Sequence, residues 1–258
     1  VSELRTGVAS EGGHWYARNG SCVYEIRGAN GKWRPVTLRD ARKLKLCPGF
    51  SSIARVEAKP GLENWKIDQA LMAALTLPRI EGETLEQFKA RAKLDAEAQA
   101  IQARDRGTEI HRALEWYFTH GLLLEGHEDY VLPVVSLLAD MFPDMDWNPE
   151  HSFCHPWGYG GKCDLLGDEV IIDFKCKDFD DPKTVRGYDE HEMQLHAYAH
   201  GFGIPGARML NLFVSSTVPG AIAVVEWKWR PAALEAFYHL LKVWQIRKDY
   251  DSSWESDS

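Results

Sequence analysis

The sequence predicts an α/β (α+β) chain with a central mixed sheet flanked by helices and a mostly helical N-terminal extension. Three observations predict it. Residues 151–157, 160–166 and 169–176 are short apolar or alternating runs bounded by turn residues, the pattern of strands. They are followed by a helical stretch over 190–201, apolar strands over 209–214 and 221–229, and a last helix over 231–248. Pro231 suits the first position of that helix. Upstream, residues 84–104 are rich in Ala, Lys, Glu and Gln and read as a long helix.

The earlier elements follow in order. Residues 22–36 suggest a hairpin turning at Gly28-Ala29-Asn30-Gly31. Thr37 is placed to cap a helix over 38–46, which Cys47-Pro48-Gly49 stops. Pro60 and Gly61 precede a helix over 65–75, with Pro78 beyond it. Gly107-Thr108 is expected to interrupt the long helix, with Thr108 capping a new one from 109 to about 120. A further helix covers 131–141. The chain has no internal repeat. It divides into an extension over 1–104 packed on a core over 105–248, and an acidic tail over 249–258 expected to be disordered.

Asp249, Asp251, Glu255 and Asp257 lie in that tail. The formal charge of −8 argues weakly against a broad nucleic-acid surface, and without these four acids it becomes −4. Basic residues are dense at Arg39, Arg42, Lys43 and Lys45, and at Lys89, Arg91 and Lys93. Each cluster is either a solvated helix face or a local groove for a polyanion. No apolar run is long enough to span a bilayer, and the first residues lack a secretory pattern. With five cysteines and no CxxC pair, the expectation is reduced thiols and a cytoplasmic setting without membrane contact.

The segment from Lys162 to Lys175 carries the chemistry. It reads as two strands joined at Gly167-Asp168, a strong two-residue turn signal. Asp164, Asp173 and Lys175 then share one face, with the two acids as diagonal neighbours. Two carboxylates and an amine on one sheet face are costly to bury unless a cation or phosphate joins them. Carboxylate ligands suit Mg²⁺ or Mn²⁺, and the carbonyl of Phe174 is a further oxygen candidate. Such an ion could supply what phosphodiester hydrolysis needs: an activated water, charge relief and a stabilised leaving oxygen. Lys175 would hold or polarise the water.

Two further features join the hairpin. His111 lies four residues after Gly107, on the helix face it shares with Glu115, as either a metal ligand or a structural histidine. Gln194 and Tyr198 share a face of the following helix. Gln194 could bond a phosphate or a ligating carboxylate, and Tyr198 could stack or pack below it.

In this order, Gly-Thr-x-x-His at 107–111, Gly-x-x-Asp at 161–164, Asp-x-Lys at 173–175 and Gln-x-x-x-Tyr at 194–198 resemble the RecB-like branch of the PD-(D/E)XK nucleases. The resemblance covers about 105–248 and implies a restriction-endonuclease-like core. Phe50-Ser51-Ser52-Ile53 and the run from Lys59 to Trp65 resemble small single-domain members such as the mitochondrial genome maintenance exonuclease and phage exonucleases. It implies His111, Asp164 and Asp173 as metal ligands, Lys175 as the catalytic lysine, and Gln194 with Tyr198 in support or at the substrate. It offers Glu150, and Glu115 beside His111, as supporting acids; Glu150 reads equally as a plain surface acid. It implies Mg²⁺ or Mn²⁺ and a DNA substrate, single-stranded or with a free end. Cys176 stands where relatives usually carry threonine. No cysteine follows it, so no iron–sulfur cluster is expected.

The function expected is a metal-dependent DNA exonuclease in recombination, repair or phage replication, with a recombination or replication protein as a further partner. The alternatives are an endonuclease of the same superfamily and a non-catalytic DNA-binding module on a nuclease fold. Trp15, Trp65 and Trp116 are candidates to stack on single-stranded bases, or to pack.

Overall fold

Two apolar layers lie on the two faces of a central sheet. The structure, a computed structural model, describes residues 4–5, 14–58 and 60–254. It begins with the short strands β1 (Leu4–Arg5), β2 (Trp15–Tyr16), β3 (Cys22–Val23), β4 (Glu25–Arg27) and β5 (Trp33–Pro35). Helix α1 (Leu38–Leu44), strand β6 (Cys47–Pro48) and helix α2 (Phe50–Ala54) follow. The long helices α3 (Pro60–Thr76) and α4 (Leu85–His120) lead into α5 (Glu128–Met141). Strands β7 (Asn148–Pro149), β8 (Ser152–His155), β9 (Tyr159–Lys162), β10 (Leu165–Gly167) and β11 (Val170–Lys177) precede helix α6 (Asp189–Gly201). Strands β12 (Arg208–Ser215) and β13 (Ile222–Trp227) and helix α7 (Pro231–Lys248) complete the order.

The central sheet runs β13-β12-β11-β10-β7. Strands β11 and β12 are parallel, joined by the crossover helix α6, and the other pairs are antiparallel. This is the mixed sheet with flanking helices that the sequence predicts. Alternation along β11 sorts the layers. Ile171 packs with Met193, Leu195, Phe237 and Leu241 on the side of α6 and α7. Ile172 and Phe174 pack with Ile110, Leu114, Val134 and Leu138 on the side of α4 and α5. Asp173 belongs by alternation to the α6 side.

Several expectations change. The extension carries small sheets, β1-β4-β5 and β3-β2-β6, besides its helices; β4-β5 is the hairpin expected over 22–36, with its turn at 28–31. Gly107-Thr108 does not break the long helix: α4 runs unbroken across the expected boundary at 104/105. The Thr108 hydroxyl donates to the Arg104 carbonyl (3.0 Å), so it is used inside the helix rather than as a cap. Thr37 does cap α1, in a capping box with Asp40. The basic clusters are partly spent on structure: Arg42 donates to the carbonyls of Lys248 and Asp249 behind α7, and Arg91 pairs with Glu83. The tail expected to be disordered packs as far as Trp254. Tyr250 Oη reaches the Leu46 carbonyl (2.7 Å), Ser252 Oγ the Gly158 carbonyl (2.8 Å), and the Trp254 N–H the Pro156 carbonyl (2.9 Å). Glu255 and Asp257 lie outside the described residues. Among the described residues no helix is long and apolar enough to cross a membrane.

Beside β9 a cluster of rings carries a pH prediction. His155 and His200 lie 4.3 Å apart between centroids, with Trp157 4.2 Å from His200. Tyr159 Oη donates to the Ala197 carbonyl and lies 2.9 Å from His200 Nδ1. Burial, then the His200 charge, push His155 down to about 4. A histidine depressed on folding contributes stability above its unfolded pKa and loses it as pH falls towards the folded value. The window is therefore pH 6.5 down to about 4. Replacing His155 with phenylalanine is expected to shrink the stability lost across that window by about 1 kcal/mol, a value reduced for partial solvation. Urea unfolding at both ends of the window measures it.

Candidate active site

The break between β9 and β10 creates the site. A single strand was expected over 160–166; instead β9 pairs with β8 while β10 pairs with β11. Between them the Cys163 N–H donates to the His151 carbonyl, and the Glu150 N–H to the Asp164 carbonyl, both at 3.0 Å. Asp164 thus sits where the chain leaves one sheet for another.

The hairpin turn also differs by one residue. Leu165, Leu166 and Gly167 pair with Ile172, Ile171 and Val170, so the turn is Asp168-Glu169, not Gly167-Asp168. Glu169 takes the left-handed conformation, with φ 52°. Gly167 serves packing instead: a Cβ there would lie 2.6 Å from the Met145 sulfur. Carried one step further, the register sets Asp164 directly opposite Asp173, closer than the diagonal expected.

Four elements bring the predicted residues together. His111 Nε2, from α4, lies 3.2 Å from Asp164 Oδ1, and the Phe174 N–H donates to Asp164 Oδ2 at 2.5 Å. Lys175 Nζ lies 2.6 Å from Asp173 Oδ2 and donates to Gln194 Oε1 at 3.1 Å. Gln194 Nε2, from α6, donates to Asp173 Oδ1 at 2.9 Å and to Tyr198 Oη at 3.0 Å. Gln194 therefore holds the acid and the amine of the Asp-x-Lys pair at once.

Electrostatics divides the two acids. Burial works against the Asp164 charge, but His111 and Lys175 outweigh it and hold the carboxyl below its usual range. Burial first, then the Asp164 charge, raise Asp173 despite Lys175. Asp164 in turn raises His111 against burial. Burial would lower Lys175, yet Asp173 and Asp164 together raise it, so the amine stays protonated.

No protein-family model matches this sequence, and no curated protein matches it significantly. Among solved structures, the chain is similar to an alkaline exonuclease from Laribacter hongkongensis. The identity is 13%, over 78% of this chain and 87% of that one, with a TM-score of 0.45. It is also similar to a phage-related exonuclease from Haemophilus somnus 129PT at 14% identity, over 70% of this chain and 92% of that one, with a TM-score of 0.34. Likeness at this level assigns no residue its role.

The donor set can be tested against a divalent cation. Two carboxylates suit Mg²⁺ or Mn²⁺, and an imidazole beside them suits the softer Mn²⁺ better than Mg²⁺. Asp173 carries a buried charge that its surroundings disfavour, which a cation would relieve. Among the described residues no three His, Cys, Asp or Glu side chains already form a cage. The Asp173 oxygens are turned to Gln194, Asn211 and Lys175 instead. The residues fit the ion by chemistry, with His111 and Asp164 already in contact.

The other expected residues lie around this group. Gln194 and Tyr198, offered also as substrate contacts, are 9% and 5% exposed and bonded to each other, so they brace Asp173 and Lys175 from beneath. Glu150 pairs with Lys162, and its Oε1 is buried without a hydrogen-bond partner. Glu115 stands near Tyr24, whose phenol is raised by burial, Cys22 and the Glu115 charge. Trp15 packs against Trp244 and Trp116 stacks on His120. Trp65 lines a groove of about 670 Å³ between α3 and α4 that shares no residue with the His111–Lys175 group.

Sequence reasoning missed Asn211. It is fully buried on β12, and its Nδ2 donates to Asp173 Oδ2 at 2.9 Å. An uncharged polar residue in the apolar run 209–214 is the signal that was available.

Gly161 is needed by a close approach. A Cβ there would lie 2.5 Å from Cε1 of Tyr198 and 2.7 Å from Phe153. Gly161→Ala is expected to displace Tyr198, loosen Gln194 and cost about 1–3 kcal/mol, as overpacking does. Thermal unfolding of the variant measures the cost.

Proposed function

We propose that the chain is a divalent-metal-dependent deoxyribonuclease, and that it acts as an exonuclease on DNA ends. The observation that carries this reading is the convergence of His111, Asp164, Asp173, Lys175 and Gln194 from a helix, a strand junction, a strand and a second helix. Asp164, Asp173 and His111 would hold Mg²⁺ or Mn²⁺, with the Phe174 carbonyl as a further oxygen. The ion would supply Lewis-acid stabilisation of the phosphoryl charge and lower the pKa of water.

The protein's own groups do the rest. Lys175, kept protonated by two carboxylates, offers a fixed positive N–H donor to an attacking water or a phosphoryl oxygen. Gln194 limits the directions that donor can take. The phosphodiester would enter from the side where His111 is exposed, since its side chain is 36% accessible while that of Asp173 is 6% accessible. Work on free ends in recombination, repair or phage replication, beside a recombination or replication protein, is the setting this activity suits.

The test uses end-labelled single- and double-stranded oligonucleotides with Mg²⁺, Mn²⁺ or EDTA, and circular single-stranded DNA. A ladder from one end, abolished by EDTA, with circles intact, is the expected result. Cleaved circles would make the enzyme an endonuclease. Binding without cleavage under every condition would overturn the reading in favour of a non-catalytic module.

A further inference from the structure

A line of hydrogen bonds crosses three strands to reach Asp173. Asp173 and Asn211 are direct neighbours on the parallel strands β11 and β12. Asn211 pairs across β12–β13 with Val225, and Met209 with Trp227, so Trp227 is diagonal to Asn211. Trp227 Nε1 donates to Asn211 Oδ1 at 2.8 Å, and Asn211 Nδ2 donates to Asp173 Oδ2 at 2.9 Å.

The roles along this line cannot be exchanged. An indole N–H only donates, so it must face the amide oxygen of Asn211. The amide nitrogen is then turned to Asp173. With the amide reversed, a donor would meet the indole and an oxygen would meet the carboxylate, both repulsive. The indole is itself held, because its ring fills the space a side chain at Gly187 would need: a Cβ there would lie 2.3 Å from Cζ2. Gln194 restrains one oxygen of Asp173 and Asn211 the other, which fixes the rotation of the carboxylate.

We infer that Asn211, oriented by Trp227, is a positioning residue that holds the Asp173 carboxylate in place for a divalent cation against the pull of Lys175. Without Asn211 the Oδ2 atom keeps only Lys175, already 2.6 Å away, and the carboxylate loses the neutral donor that opposes the amine. This inference rests on the proposed nuclease site and goes beyond it, since neither residue touches the reacting atoms. Outer partners of ligating carboxylates are worth about 10–100-fold in metal affinity or activity.

The experiment measures Mn²⁺ binding by titration calorimetry, kcat and KM for cleavage, and DNA binding in EDTA. It compares the wild type with Asn211→Ala and with Trp227→Phe, which keeps an aromatic ring but removes the N–H donor together with the part of the indole that packs on Gly187. The expected result is about a 10–100-fold loss of Mn²⁺ affinity and of kcat for Asn211→Ala. Trp227→Phe should show a smaller loss of the same sign, with KM and DNA binding unchanged. A merely structural role would lower thermal stability and leave Mn²⁺ affinity alone, and that outcome overturns the inference. If Asn211→Ala does not fold, Trp227→Phe decides by the same measurements. A wild type that binds no Mn²⁺ and cleaves nothing would sink the nuclease reading itself; an active wild type with indifferent variants sinks only this inference.

Discussion

Lys175→Ala is expected to lower the rate of cleavage at saturating metal by about a thousand-fold or more while DNA binding persists. Among the described residues the lysine is the one cation in contact with Asp173, at 2.6 Å, and Gln194 fixes it from a second side at 3.1 Å. Its pKa is raised because the carboxylates of Asp173 and Asp164 outweigh burial, so near neutral pH it acts as a positive donor and not as a base. Lys175→Arg should rescue little. A planar guanidinium needs a fork of acceptors, whereas the pocket between Asp173 and Gln194 is shaped for a point charge on a flexible stem. Single-turnover cleavage of an end-labelled oligonucleotide, beside a gel-shift titration in EDTA, measures both halves. A variant that cleaves at the wild-type rate would remove Lys175 from the chemistry.

Much of this site was legible because its residues repeat simple periodicities. Asp173 and Lys175 share a strand face by alternation, and Gln194 and Tyr198 share a helix face by i, i+4 spacing. Each pair is found as those spacings require. Asp164 was legible as a residue but not in its setting. A break between two sheets leaves no mark when both halves are short, Tyr159–Lys162 and Leu165–Gly167, and only Cys163-Asp164 separates them. The turn was misread for a related reason. Gly167 is a strong turn residue, yet Met145 and Trp147 need its missing side chain, and those contacts come from another part of the chain. Asn211 and Trp227 were invisible as a pair, because partners 16 residues apart on neighbouring strands meet only once the β12–β13 register is set. The tail misled by composition. Its acids and serines suggest disorder, but Tyr250, Ser252 and Trp254 find carbonyl partners on α1, on the β8–β9 loop and nearby.

Asp164→Asn and Asp173→Asn are both expected to abolish metal-dependent cleavage, yet to differ in the stability of the metal-free protein. At Asp164 an amide is accommodated. Its oxygen can still accept the Phe174 N–H, and its nitrogen can donate to a neutral His111. The stability change there should stay within about 1 kcal/mol. At Asp173 three donors converge: Gln194 on Oδ1, and Asn211 with Lys175 on Oδ2. An amide nitrogen facing Gln194 meets a donor, and reversed it meets two. Gln194 cannot turn over without leaving Lys175, and Asn211 cannot turn over without losing Trp227. The ammonium also loses its nearest counter-charge. The variant should be about 3 kcal/mol less stable, since one partner of a buried pair is removed while Asp164 still compensates in part. Urea unfolding in EDTA measures the difference, and the same samples with Mn²⁺ report cleavage. Equal stabilities would mean that the donors around Asp173 are not arranged as described; residual cleavage by either variant would mean that its carboxylate is not needed to hold the ion.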